Sequence, residues 1–191
     1  LQKQLKKIFI LKRTKIYKLN NQLPEIKFPS TSSRRKNTRN SWENVYFPAG
    51  KPCGEVGLFL GCVARLTDVE TINSSIYVLN HLGYTVHIPP TQTCCGALHQ
   101  HGGDTNTAIQ LAQQNESAFK ELNLNTIITT SSGCGMHLTD YHSEFSSKII
   151  DISKFLVSIG GWNNLKITPL QDKVLVHDPC TLRNIIHSSK Y

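Results

Sequence analysis

No stretch of the 191 residues sustains the run of about eighteen apolar side chains that a membrane-crossing helix needs. A secretory signal is lacking too: after the basic start Leu1-Gln2-Lys3-Gln4-Leu5-Lys6-Lys7, the apolar run is only Ile8-Phe9-Ile10-Leu11 before Lys12-Arg13. No two cysteines stand in the C-x2-C spacing of a structural zinc knuckle. No Ser-His-Asp set, paired-carboxylate site or phosphate-binding glycine loop stands out, which argues against hydrolytic and nucleotide-dependent chemistry. Acidic residues are nearly missing from the first 51 positions, where Glu25 and Glu43 face thirteen lysines and arginines.

That last scarcity divides the chain. The formal charge of +8 is an average over a strongly basic leader and a body, residues 52–191, with more acids than bases. Leu1, Leu5, Ile8, Ile16 and Leu19 fall at near-helical spacing and predict a short amphipathic helix over 1–20. Residues 21–51 carry Pro24, Pro29 and Pro48 and the polar run from Ser30 to Asn40, which is linker composition. We therefore read 1–51 as leader and linker. The leader has no aromatic interleaving and no nucleic-acid motif, so nucleic acid is not the expected partner. It is read as a solvated tether to a partner domain, with peripheral contact to anionic lipid as the alternative.

The body alternates strand and helix signals. Val56-Gly57-Leu58-Phe59-Leu60, Tyr84-Thr85-Val86-His87-Ile88, Thr126-Ile127-Ile128-Thr129 and Val174-Leu175-Val176-His177 read as buried strands. Between them, Asp68 can cap a helix over 69–82 that stops at Gly83. Asp104 can start one over 105–121 with Ile109, Ala112 and Phe119 inward. Further helices run from about Gly133 towards Tyr141 and over 152–159. This alternation predicts an α/β fold, a mainly parallel sheet with flanking helices.

Six cysteines are present: Cys53, Cys62, Cys94, Cys95, Cys134 and Cys180. Without a secretory signal, a reducing compartment, and hence a cytoplasmic location, is expected; there, clustered cysteines bind metal or do redox chemistry. Cys62 and Cys134 fall just beyond the carboxyl ends of predicted strands, and Cys94-Cys95 lies in a loop beyond another. Ligands gather at carboxyl strand ends in open α/β sheets, so the pattern C-x31-CC-G-x37-C should converge on one edge. Soft thiolates select an iron–sulfur cluster, zinc or Cu(I). Gly61, Gly96 and Gly133 beside the ligands let the backbone approach a cofactor and leave amides to bond its sulfur. Separate buried thiols and a zinc site are the rival readings.

The motifs Gly61-Cys62-Val63, Cys94-Cys95-Gly96-Ala97-Leu98-His99, Ser132-Gly133-Cys134-Gly135 and His177-Asp178-Pro179-Cys180 resemble the cysteine-rich CCG domain family. That family includes the cysteine-rich subunit of heterodisulfide reductase and the iron–sulfur subunits of glycolate oxidase and lactate-utilisation systems. The run from Cys94 to Asp104, with Asn115 later, is most similar to the glycolate oxidase iron–sulfur subunit. The resemblance implies that Cys62, Cys94, Cys95 and Cys134 hold an iron–sulfur cluster, expected to be of the 4Fe-4S type. It implies a first module over 52–165 and the opening of a second over 166–191, with Cys180 as its first cysteine. The ferredoxin-like domain and the remainder of the second module would belong to a longer protein. It also implies an electron-relay role, not catalytic alone. A flavin-containing dehydrogenase subunit would oxidise a 2-hydroxy acid such as glycolate, and electrons would pass towards quinone at the inner face of a membrane.

The chain departs from the family at one position. Heterodisulfide reductase-type sites close with C-x2-C, and His137 stands where that second cysteine would be. Imidazole can ligate iron; a surface or helix-capping histidine is the other reading. His99 and His101 flank the cysteine loop, either as hydrogen-bond donors or proton carriers near the cluster or as plain loop residues. Cys53 is read as a free thiol. A zinc-stabilised interaction domain and an inactive remnant are the alternatives from other classes.

Overall fold

The computed structural model describes residues 42–141 and 143–160, together with Lys173 and Cys180. The expected leader helix over 1–20 and the expected strand over 174–177 lie outside the described residues.

Five strands form one sheet in the order β1-β3-β2-β4-β5: β1 Val45–Tyr46, β2 Gly54–Phe59, β3 Tyr84–His87, β4 Ile127–Thr129 and β5 Ile149–Asp151. All neighbours are parallel except β1, which runs antiparallel to β3 with Val45 opposite His87. The expected α/β class is borne out. Seven helices connect and flank the described strands: α1 Ala64–Thr67, α2 Val69–His81, α3 Ala97–His101, α4 Thr105–Lys120, α5 Ser132–Thr139, α6 Glu144–Ser147 and α7 Ile152–Ile159.

Strand alternation explains the two cores. Val56, Leu58 and Leu60 face one side of the sheet, where Ile72, Ile76 and Leu79 of α2 and Phe155 of α7 cover them. The α2 residues recur at helical spacing, and each side chain buried this way contributes about 1.5–3 kcal/mol. Phe59 and Ile127 face the other side, against Phe119, Leu138, Tyr141 and Phe145. Gly57 opens the space for that second layer. A methyl group there would lie 2.8 Å from the Phe119 ring and 3.2 Å from Leu124.

Three expectations need correction. The segment read as linker contains β1, and Trp42 Nε1 donates to Asn73 Oδ1 at 2.9 Å while Ile88 N donates to Asn44 O at 2.8 Å. Second, β5 has no counterpart among the expected strands; it pairs with β4 through Ile127↔Ile149 and Ile128↔Ile150. Third, Ile109 does not point inward but is 51% exposed. The buried positions of α4 are Ala108, Asn115 and Phe119, with Ala112 packed partly behind them; Ile109 is one residue out of phase with that stripe.

The topology fixes where a ligand belongs. β2 sends its connection to β3 on one side, whereas its other neighbour, β4, sends its connection to β5 on the opposite side. The carboxyl ends of β2 and β4 therefore flank a crevice, the switch point of an open parallel sheet.

Candidate metal centre

Cys62 lies three residues beyond the end of β2, and Cys134 lies in the first turn of α5, five residues beyond β4. Both thus flank the switch point. Cys94 and Cys95 come from the long connection after β3, immediately before α3. Cys134 sits within the helix expected to begin near Gly133, which starts at Ser132.

These separate connections meet through sulfur. Cys62 Sγ lies 3.3 Å from Cys94 Sγ. Cys95 and Cys134 form a second thiol pair, joined by a side-chain hydrogen bond. Charge on Cys94 and on Cys134 acts on Cys62, and charge on Cys94 acts on Cys95, so the two pairs form one electrostatic group. Exposure is graded: Cys95 is buried, Cys94 and Cys134 are half-buried, and Cys62 faces solvent. Cys53 and Cys180 are exposed. Cys53 Sγ donates to Leu82 O at 3.3 Å.

The pairs titrate unequally. The hydrogen bond with Cys95 pulls Cys134 down to about 7, helped by Ser131 and opposed by burial. The same bond, followed by burial, pushes Cys95 far up. Burial and then the contact with Cys94 raise Cys62. Without metal, Cys134 is the thiolate of the buried pair and Cys95 holds the proton.

A network of buried polar side chains fixes the vicinal-cysteine loop. Asn115, fully buried on α4, accepts from Thr93 N at 2.8 Å and donates to Cys94 O at 2.9 Å. The Tyr141 hydroxyl donates to Cys95 O at 2.6 Å and lies 3.4 Å from Asn115 Nδ2. Gln92 ties the loop to the end of β2, accepting from Leu60 N at 2.8 Å and donating to Leu58 O at 3.2 Å. Arg65 Nη2 on α1 donates to Gln92 O at 3.1 Å, bridging the Cys62 side to the Cys94 side. Its Nε is buried without a partner, which costs about 1–3 kcal/mol unless an acceptor is supplied. Burial lowers the Arg65 pKa and the charge of Cys62 opposes that. Sequence reasoning singles out Asn115 but misses Gln92, Arg65 and Tyr141, because their partners are backbone groups up to 46 residues away.

The three candidate glycines differ. Gly61 (φ +70°) and Gly96 (φ +88°) adopt the left-handed conformation that side chains resist. A methyl group on Gly61 would lie 3.4 Å from Cys134 Sγ, and one on Gly96 would lie 3.3 Å from the Ala108 backbone. Gly96 N donates to Cys94 Sγ at 3.4 Å. Gly133 has a negative-side backbone and open space beside it.

The histidines also separate. His99 Nδ1 pairs with Asp104 Oδ2 at 3.2 Å, tying α3 to the residue whose Oδ1 caps α4 at Thr107 N. His101 is exposed. His137 packs edge-on to Tyr141, with ring centroids 5.6 Å apart, and burial lowers its pKa. Its Nε2 lies 3.5 Å from where a Gly96 methyl would be.

Among the described residues, no three or more His, Cys, Asp or Glu side chains converge on a single metal ion. An iron–sulfur cluster makes a different demand, since each thiolate takes a different iron and the sulfurs need not point to one centre. The donor set fits such a group: four soft ligands, two left-handed glycines that strip side chains from their approach, an amide on sulfur and an unpartnered buried N–H.

Residues 56–139 match the family model described as CCG, cysteine-rich domain, and that segment is a domain of this type. The chain is 35% identical over 147 residues to a probable glycolate oxidase iron–sulfur subunit of Bacillus subtilis, covering 70% of this chain and 33% of the relative. It is 31% identical over 135 residues to a subunit of the CoM/CoB fumarate reductase of Methanothermobacter marburgensis, covering 69% and 26%. It is 26% identical over 140 residues to lactate utilization protein A 2 of Bacillus cereus, covering 66% and 57%. The chain thus spans about a quarter to a third of the first two relatives. No solved structure matches it. No described helix is long and apolar enough to cross a membrane.

Proposed function

We propose that the domain holds an iron–sulfur cluster through Cys62, Cys94, Cys95 and Cys134 and relays electrons within a multi-subunit oxidoreductase. The observation that carries this reading is the meeting of thiols from three separate connections at the switch point, with Cys62 and Cys94 sulfurs 3.3 Å apart. A bound cluster supplies one-electron redox chemistry. The chain's part is to present the thiolates, donate the Gly96 amide to Cys94 sulfur, and hold the loop rigid through Asn115 and Tyr141. Electron relay needs no general acid or base, in keeping with a site whose flanking His99 is paired with Asp104.

The relatives' names favour a 2-hydroxy-acid system of the glycolate or lactate type. In that setting a flavin-containing subunit oxidises the substrate and this subunit passes electrons towards quinone, on the cytoplasmic face of a membrane. The cluster is of the 4Fe-4S type. The first cysteine-rich module begins with the segment that carries Trp42 and β1 and runs to about residue 165, and Cys180 belongs to the opening of a second. Gly61 and Gly96 shape the cofactor's approach, and Gly133 lies beside it.

Anaerobic purification followed by iron, acid-labile sulfide and zinc assays tests the reading. Cys→Ser changes at positions 62, 94, 95 and 134 should each lower iron sharply, and Cys53→Ser should leave it unchanged. Zinc in place of iron points to a structural domain instead, and equal iron across all five variants removes the ligand assignment.

A further inference from the structure

We infer that Arg65 sets the reduction potential of this centre: its guanidinium, anchored on the loop that carries Cys94, holds a permanent positive charge beside the Cys62 edge and favours the reduced state. The inference rests on the iron–sulfur reading above.

Arg65 lies three residues beyond Cys62, on α1, and its Nη2 donates to Gln92 O at 3.1 Å, two residues before Cys94. Gln92 is itself buried and bonded to both Leu58 and Leu60, so the guanidinium is fixed to the rigid end of β2. Arg65 is thus tied to both connections whose sulfurs touch. None of the ion pairs among the described residues gives Arg65 a carboxylate partner. Its Nε–H is buried and meets no acceptor. A half-buried cation without a carboxylate is costly unless an anion lies close by, and Cys62 is the group whose charge acts on it. Arginine stays protonated even when burial opposes it. Metal-bound thiolate and cluster sulfur would supply both the anion and the acceptor that Arg65 lacks.

One-electron reduction converts one ferric iron to ferrous and adds one negative charge to the site, with no proton required. The electron comes from the reduced flavin of a partner subunit, or from dithionite in the experiment. A fixed cation offsets that added charge and so stabilises the reduced form more than the oxidised one. Net charge and hydrogen bonds to sulfur are two of the levers by which a protein sets such potentials, and Arg65 bears on both.

The test is a mediated dithionite titration of the full chain, purified anaerobically, followed by electron paramagnetic resonance, for wild type, Arg65→Lys, Arg65→Gln and Arg65→Met. Iron and sulfide are measured first. Arg65→Gln and Arg65→Met should lower the reduced-to-oxidised ratio at a fixed potential about tenfold, equivalent to about 59 mV for one electron. Arg65→Lys, which keeps the charge, should stay near wild type. If Arg65→Met loses iron, the Lys and Gln variants decide, because loop loosening alone affects both alike. Equal potentials in the loaded Lys and Gln variants overturn the inference while leaving the iron–sulfur reading standing. A wild-type chain that takes up no iron overturns both.

Discussion

The hydroxyl of Tyr141 donates to the carbonyl of Cys95 across 46 residues of chain, at 2.6 Å. With Asn115, it means that the vicinal cysteines are held through their backbone carbonyls as well as through the contacts of their sulfurs. Removing these donors should loosen the loop before any metal is present. Tyr141→Phe leaves one buried carbonyl without its partner and should cost about 1–3 kcal/mol. Asn115→Leu strands both Thr93 N–H and Cys94 C=O and should cost more. Urea unfolding of the metal-free protein measures both; a loss under about 0.5 kcal/mol for Asn115→Leu would show that the loop is held some other way.

The glycines allow a comparison internal to the site. Gly61→Ala and Gly96→Ala each force a side chain into a left-handed backbone, and the methyl groups press on Cys134 Sγ and on the Ala108 backbone. Both variants should hold clearly less iron than wild type. Gly133→Ala meets open space within a helix and should keep its iron, with stability raised by about 0.5–1 kcal/mol. Iron per chain and thermal unfolding report the two effects separately. A Gly61→Ala protein with full iron would mean that the crevice is wider than its metal-free form.

Much of this arrangement is legible in the chain itself, for physical reasons. β2, β3 and α2 announce themselves because apolar runs and helical spacing are bounded by Asp68, Gly83 and Pro89. The convergence of Cys62, Cys95 and Cys134 follows from strand–helix alternation, which brings every parallel strand's carboxyl end to one edge. β1 and β5 have two and three residues, too few for a period to show, and exist through pairing with β3 and β4. The role of Asn115 hides for another reason. It is a polar residue in the buried stripe of α4, and only the folded loop reveals the backbone groups it satisfies. The misplacement of Ile109 is the other side of that fact, since an inward asparagine shifts the apparent apolar face by one residue.

His137 stands where a second cysteine would complete C-x2-C, yet its surroundings explain it without a metal. The ring lies edge-on against Tyr141 and close to Gly96, and it is partly buried there. Four thiols already supply the usual ligand number of a cluster. His137→Ala should therefore retain iron within about a fifth of wild type, with the electron paramagnetic resonance spectrum unchanged apart from small shifts in line shape. Loss of a distinct iron site, or spectra that report nitrogen coordination in wild type and not in the variant, would instead make His137 a ligand.

The unequal titration of Cys95 and Cys134 gives a pH prediction for the metal-free protein. Cys134 is lowered to about 7 because the Cys95 thiol donates to its thiolate, with Ser131 assisting. Iodoacetamide, which reacts with thiolate, should therefore label Cys134 with an apparent midpoint near pH 7. Cys95 should stay unlabelled well above that pH, because it holds the shared proton in a buried position. The stability signs follow from the same directions. A thiol whose folded pKa is depressed contributes stability that is full above its unfolded value, the ordinary 9.0, and is lost as pH falls through 7. Cys95 works oppositely: with its folded pKa raised, it contributes below the unfolded 9.0 and costs stability as pH rises beyond it. The pair's contribution should thus grow between pH 7 and 9 and decline above. Cys95→Ala removes the donor, so the Cys134 midpoint should move up towards its ordinary value and the growth between pH 7 and 9 should vanish. Time-resolved alkylation with peptide mapping gives the midpoints, and denaturant unfolding of wild type and Cys95→Ala across pH gives the stability difference. If Cys134 labels with the same midpoint in both proteins, the hydrogen bond between the two thiols is not what activates it.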